Sequence, residues 1–150
     1  KYYIVDIPEV IEVAKKNFQN EKNLFFRTKI PKLYNCDIFH YGSCLQYIDH
    51  WQKLLEKSCA LKPKYLIFSD LMAGDIESFV TIQKFDKIKM PFRFYNINKI
   101  IKFLEKFKYE LILRNNYQVR FNGKPSELPT DKFPKNSQLK FSSNLIFKKK

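Results

Sequence analysis

Within its first twenty residues the chain passes from a strand-like run straight into a helix-like one, and this alternation recurs to its end. Tyr2 to Val5 is aromatic and β-branched, the composition of a strand. Asp6 follows at its C-terminal edge. Pro8 stands where the first turn of a helix tolerates a residue without an N–H. Val10, Ile11, Val13, Ala14 and Phe18 continue at helical spacing. A strand that ends in an acid and turns at once into a helix is a unit of an α/β nucleotide-binding sheet. There the carboxylate accepts hydrogen bonds from both hydroxyls of a ribose. In such sheets this unit is the second strand, and a glycine-rich turn precedes it. A chain that opens on it at Lys1, without an initiator Met, is expected to be an excerpt or a processed piece.

The pattern continues as strands over residues 23–27, 37–41 and 64–69. Gly42-Ser43 reads as the turn after the third. Asp49 reads as a helix N-cap with Gln52 three residues on, in the manner of a capping box, and Trp51, Leu54, Leu55, Ser58 and Leu61 share one helical face. That helix stops before Pro63. The run at 64–69 has little polar interruption, as in a strand covered on both faces. Met72 to Met90 reads as a long connector, and Ile97, Ile100, Ile101 and Leu104 mark a final helix. A strand at 109–114, a tight turn at Asn122-Gly123 and a loop with Pro125, Pro129 and Pro134 lead to a last strand at 144–147. Strands joined by helices predict a three-layer α/β sandwich. The last two strands have no helix between them and are expected to pair antiparallel at one edge of a mostly parallel sheet.

The length of 150 residues suits one domain over 1–150, and an apolar fraction of 45% with 17% aromatic residues is enough for a substantial core. No apolar run reaches the roughly 18 residues of a membrane-crossing helix, and no signal peptide is recognisable. Cys36, Cys44 and Cys59 are odd in number and lack metal-type spacing; no metal site is expected, and free thiols in a reducing cytoplasm are. The net charge of +13 comes almost wholly from lysine: of 28 basic residues only Arg27, Arg93, Arg114 and Arg120 are arginine. Nucleic-acid readers usually rely on arginine forks, so the lysines read as a solvated surface with some attraction for acidic partners or anionic membranes.

The strand order resembles the second through seventh strands of the class I S-adenosylmethionine-dependent methyltransferase fold. Local segments resemble a family of bacterial methyltransferases associated with surface-polysaccharide gene clusters: residues 2–10 (Tyr-Tyr-Ile-Val-Asp-Ile-Pro-Glu-Val), 41–48 (Tyr-Gly-Ser-Cys-Leu-Gln-Tyr-Ile), 61–68 (Leu-Lys-Pro-Lys-Tyr-Leu-Ile-Phe) and 91–95 (Pro-Phe-Arg-Phe-Tyr). The resemblance implies a Rossmann-like domain, S-adenosylmethionine as cofactor, and a small-molecule or glycan-precursor substrate; a homo-oligomer is compatible with it. The departure is the glycine-rich first strand and turn. The three glycines, Gly42, Gly74 and Gly123, lie in no such motif, and the missing strand would belong between those at 2–5 and 37–41.

Under this resemblance Asp6 binds the ribose diol; otherwise it is a solvent-facing acid near a helix N-terminus. Gly42 and Ser43 end a strand at the edge where open α/β sheets hold ligands. The resemblance places them, with Gln46 and Tyr47, beside the methionine part of the cofactor and the acceptor. Arg27 and Thr28 stand where the adenine would lie, but without the acid usual there. Asp70 ends a strand at the same edge and is a candidate general base, as is His50. His40 reads as a packing residue inside its strand. Arg93, between aromatics, is a candidate clamp for a carboxylate or phosphate, or else caps a loop. The rival readings are a non-catalytic remnant or accessory piece of the same fold and, last, a lysine-driven nucleic-acid binder, whose affinity would fall steeply with salt.

Overall fold

The computed structural model describes residues 1–32, 35–121 and 124–150. The turn expected at Asn122-Gly123, and part of the stretch from Pro31 to Asn35 that the sequence suggests as a connector, lie outside them. The chain forms two compact units, residues 1–34 and 35–150.

The first unit is one strand–helix–strand crossover. β1 (Tyr2–Val5) and β2 (Leu24–Arg27) pair in parallel, Tyr2 opposite Leu24 and Val5 opposite Arg27. Parallel neighbours need a crossover connection, and α1 (Pro8–Asn17) provides it. Pro8 sits in its first turn, as the sequence demands. Glu9 stands at the positive end of the helix dipole, and Lys15 and Lys16 at the negative end. The sequence reads as a helix over 8–20, and the structure ends it three residues earlier, at Asn17. Ile11 and Phe26 are the buried residues of this unit, and Tyr3 stacks on Phe25.

The second unit is built on a four-stranded sheet of order β3-β4-β11-β8, from β3 (Ile38–Gly42), β4 (Tyr65–Leu71), β8 (Tyr109–Tyr117) and β11 (Ser142–Lys149). β3 and β4 are parallel, with α2 (Trp51–Ala60) in their crossover; β11 runs antiparallel to both β4 and β8. The sheets are therefore mixed, where a mostly parallel sheet is the sequence expectation. The last two strands pair antiparallel as anticipated, but β11 lies inside the sheet and β8 forms the edge. Among the described residues, no strand pairs with the second edge of β1 or of β3. Leu66, Phe68, Leu145 and Phe147 of the strands pack with Leu55 of α2 and with Ile97, Ile100 and Leu104 of α3 (Ile97–Glu105), all fully buried. Tyr65, Ile67 and Ser69, which alternate with the buried Leu66 and Phe68, are only half-buried, so the strand is not covered equally on both faces.

The expected connector at 72–90 is instead a hairpin. A short β5 (Ala73–Gly74) pairs in parallel with the end of β7 (Ile88–Asn96), and β6 (Phe79–Phe85) pairs antiparallel along β7. Two things hide it in the sequence. Val80 and Ile82 are apolar yet point outward, which blurs the alternation, and Pro91 suggests a loop. Pro91 is tolerated because β5 pairs only with Tyr95 and Asn96, so no neighbour asks for a proton from residue 91 on that side. The proline-bearing loop also holds a short antiparallel pair, β9 (Val119–Phe121) with β10 (Lys124–Ser126). Its later part is pinned by the buried Thr130 hydroxyl, which donates to the Leu139 carbonyl (2.8 Å) and accepts from the Leu139 N–H (3.0 Å). Leu139 then packs with Met72, Ile76, Phe92 and Phe94 in a second small core beneath the hairpin.

Two local expectations are corrected. Asp49 does not cap α2: His50 holds the cap position without a side-chain hydrogen bond, because the Asp49 carboxylate is drawn into an ion pair with Arg93. His40 is no packing residue. It is exposed on β3, with its ring nitrogen 2.9 Å from the Ser69 hydroxyl.

Candidate functional site at the carboxyl edge

β3 ends beside the last residues of β4, Gly42 opposite Ser69, and the residue after each member of that pair is in the left-handed region. These are Ser43 (φ 46°) and Asp70 (φ 53°). Each left-handed non-glycine residue costs on the order of 1–3 kcal/mol, and such residues gather at functional sites. The left-handed position falls on Ser43 and not on Gly42. A Cβ on Gly42 would meet only its neighbour His40, at an ordinary 3.6 Å. The fold therefore does not demand glycine there, and the backbone is open to close approach.

The two left-handed residues are tied together. The Ser43 hydroxyl donates to Asp70 Oδ2 at 2.8 Å, and the Ser43 N–H donates to the Ser69 carbonyl at 3.0 Å. The other carboxylate oxygen of Asp70, Oδ1, accepts from the Ser142 hydroxyl at 2.5 Å, and the Asp70 N–H donates to Asn144 Oδ1 at 3.0 Å. Ser142 and Asn144 belong to the beginning of β11. No local motif announces them; the signal is topological, since an antiparallel strand brings its N-terminal end to the carboxyl edge of its parallel neighbours. Gln46 is 2% exposed, and its amide reaches the Asp70 carbonyl only at a long 3.5 Å. Its Oε1 is buried with no hydrogen-bond partner. An unsatisfied buried acceptor costs roughly 1–3 kcal/mol unless something donates to it.

Tyr47 is half exposed. Its hydroxyl donates to Gln83 of β6 at 3.0 Å, and its ring meets Phe92 of β7 edge-on. Burial raises its ionisation above the usual phenol value, and the charge of Asp70 adds to the rise. Further along the same loop the Leu45 carbonyl accepts from the Tyr95 hydroxyl (2.7 Å), and Asp49 pairs with Arg93. The hairpin is thus fastened over the loop that follows β3. The structure brings Ser43, Gln46, Tyr47 and Asp70 into one cluster and joins Arg93 to its flank. His50 is exposed at the start of α2 and, among the described residues, has no side-chain hydrogen bond to this cluster.

In the first unit, Asp6 lies at the C-terminal end of β1, exposed. Its Oδ1 accepts from the Ile7 N–H at 2.8 Å, which turns the chain into α1 and leaves Oδ2 unused. Arg27 donates to the neighbouring Phe26 carbonyl and, among the described residues, its side chain forms no ion pair. Each unit by itself offers groups that suit part of an adenosyl cofactor: in the first, an Asp6 carboxylate oxygen free for a ribose diol; in the second, an open backbone at Gly42–Ser43 and an unpartnered buried acceptor at Gln46.

Solved structures share this fold. A chain from Listeria monocytogenes classed among the S-adenosylmethionine-dependent methyltransferases superposes with a TM-score of 0.69 at 12% identity, over 100% of this chain and 80% of its own. A S-adenosylmethionine-dependent methyltransferase from Methanosarcina mazei gives 0.65 at 12% identity, over 98% and 81%. An enzyme of a pericyclic reaction gives 0.57 at 9% identity, over 100% of this chain and 36% of its own. No family model and no curated protein matches the sequence. The chain has the α/β fold of S-adenosylmethionine-dependent methyltransferases. At these identities the likeness defines the fold, and the pericyclic enzyme illustrates that one fold carries several chemistries.

Proposed function

We propose that the chain is an S-adenosylmethionine-dependent methyltransferase whose working edge is the Ser43–Asp70 cluster. The observation that carries the reading is the hydrogen-bonded pair of left-handed residues at the ends of two adjacent parallel strands, where open α/β sheets hold their ligands. Asp6 would accept hydrogen bonds from the ribose hydroxyls through Oδ2. Gly42, Ser43 and the Gln46 acceptor would line the amino-acid portion. Bound S-adenosylmethionine supplies an electrophilic methyl group, displaced in line onto an oxygen or nitrogen of the acceptor.

The protein's task in such a reaction is positioning and removal of one proton. Asp70 already accepts a hydroxyl on each carboxylate oxygen. It therefore orients the Ser43 hydroxyl, and takes a proton only if the acceptor displaces one of the two serines. His50, exposed and untethered, is the second candidate base. Tyr47 and Arg93 form the acceptor side. A sugar or polysaccharide precursor, the acceptor implied by the sequence resemblance, is the finer proposal.

The rival reading is a non-catalytic member of the fold. It draws on the sequence, in which none of Gly42, Gly74 and Gly123 belongs to a glycine-rich motif. Release of S-adenosylhomocysteine separates the two when the intact protein is incubated with S-adenosylmethionine and a panel of hydroxyl and amine acceptors. The enzyme reading expects acceptor-dependent release that falls on the order of 10²-fold in Asp70→Asn. The absence of acceptor-dependent release over the whole panel contradicts it.

A further inference from the structure

A cleft of about 250 Å³ opens between the start of α2, β6–β7 and the start of α3. Trp51, Val80 and Tyr95 give it an apolar wall; Ser78, Arg93 and Lys99 give it a polar end. Within the apolar wall Trp51 and Tyr95 meet edge-on with centroids 5.5 Å apart. We infer that this cleft binds a small organic anion, a single ring or comparable apolar body carrying a carboxylate or phosphate.

The polar end has more donors than acceptors. The Arg93 side chain is only 17% exposed. Its one carboxylate partner is Asp49, itself 67% exposed, and its Nη1 is buried with no hydrogen bond. A guanidinium is a fork suited to a planar or tetrahedral oxyanion, and an incoming anion can replace the exposed Asp49 carboxylate. Among the described residues no carboxylate pairs with Lys99, which stands in the first turn of α3. The Ser78 hydroxyl accepts from the Asn96 N–H at 2.8 Å, so its own proton is left to donate. Asn96, as the helix cap, accepts from the Lys99 N–H and so fixes the turn that carries Lys99 into the cleft wall. Positive charge and free donors thus meet at one end of an aromatic cleft.

Size narrows the class. An apolar cavity of about 150 Å³ takes a benzene ring, so the volume here accommodates one ring with its anionic group. The inference deepens the proposed function by giving the acceptor's chemistry. It rests on that reading for the role of the ligand, not for its binding.

The test uses Trp51, the only tryptophan of the chain, as reporter. Its emission is followed as the intact protein, without S-adenosylmethionine, is titrated with phenyl phosphate, benzoate, phenol or inorganic phosphate up to about 10 mM. The expected result is a saturable change with phenyl phosphate or benzoate, at a midpoint at least roughly tenfold below that of phenol. Of those two, the one with the lower midpoint shows whether phosphate or carboxylate is preferred. Arg93→Met should weaken that binding about tenfold and leave phenol unchanged. Because loss of the Asp49 pair can disturb folding, Lys99→Met, which breaks no ion pair, should by itself weaken it severalfold. Equal midpoints for phenol and phenyl phosphate, no saturable change with either aryl anion, or an unchanged midpoint in Lys99→Met overturns the inference. Binding of S-adenosylmethionine, measured separately, decides the methyltransferase reading independently of this result.

Discussion

Ser43 and Asp70 stand at the ends of neighbouring parallel strands, both in the left-handed region, with the serine hydroxyl 2.8 Å from the carboxylate. Neither residue is the one that backbone sterics would choose, so what stands at each position matters for two separable reasons. Ser43→Gly removes the strain along with the hydroxyl, and should leave unfolding free energy within about 1 kcal/mol of the wild type. Ser43→Val puts a β-branched side chain at positive φ and should cost roughly 1–3 kcal/mol or more. Urea titration of the two variants checks this; equal stability would show that residue 43 is not held left-handed.

Asp70 invites a second comparison. Asn tolerates the left-handed region and keeps one oxygen acceptor for Ser43 or Ser142. Asp70→Asn should therefore lose only about 1 kcal/mol of stability while losing activity, whereas Asp70→Leu should lose both. Paired measurement of the urea midpoint and of S-adenosylhomocysteine release distinguishes them. A destabilisation of Asp70→Asn as large as that of Asp70→Leu would make the residue purely structural.

Alkaline pH should unfold the protein. Burial pushes the Cys59 thiol from 9.0 up to about 11, and burial likewise raises Tyr41, Tyr95 and Tyr109 well above the usual phenol value. In each case the folded state holds its proton longer than the unfolded chain. The stabilisation is therefore complete below pH 9; that from Cys59 is lost as pH rises through 9 to about 11, and that from the tyrosines begins to be lost above about pH 10. The urea midpoint should be flat from about pH 7 to 9 and then fall, with a loss of roughly 2 kcal/mol or more by pH 11. A midpoint unchanged to pH 11 would contradict the buried state of these groups.

The helix that follows the hairpin is fixed by Ile97, Ile100 and Leu104, all at 0% exposure. Leu104→Ala should cost about 2–5 kcal/mol through lost transfer energy and a cavity. A cost below about 1 kcal/mol, read by thermal or urea unfolding, would place Leu104 outside the core.

Much of this fold is written locally. The strand runs at 2–5, 37–41 and 64–69 and the helix after Pro8 survive with shifts of a few residues, because each carries its own period and its own stop. What local pattern could not show is what tertiary contacts decide. Asp49 has the chemistry of a helix cap, but Arg93, 44 residues away, claims its carboxylate. The β6–β7 hairpin escapes notice because its outer face carries Val80, Ile82 and Pro91. At the candidate site, Asp70 and Ser43 could be picked out as strand-end residues. Their mutual hydrogen bond and the contributions of Ser142 and Asn144 depend on sheet order, which brings the start of β11 to the carboxyl edge.

The most direct test of the account is calorimetric titration of the intact protein with S-adenosylmethionine and S-adenosylhomocysteine, with Asp6→Ala alongside. The account predicts saturable binding of both, weakened roughly tenfold in the variant, as expected for loss of a charge-assisted hydrogen bond to the ribose. Absence of binding of either compound by the folded protein up to about 1 mM, or equal binding in Asp6→Ala, would contradict it.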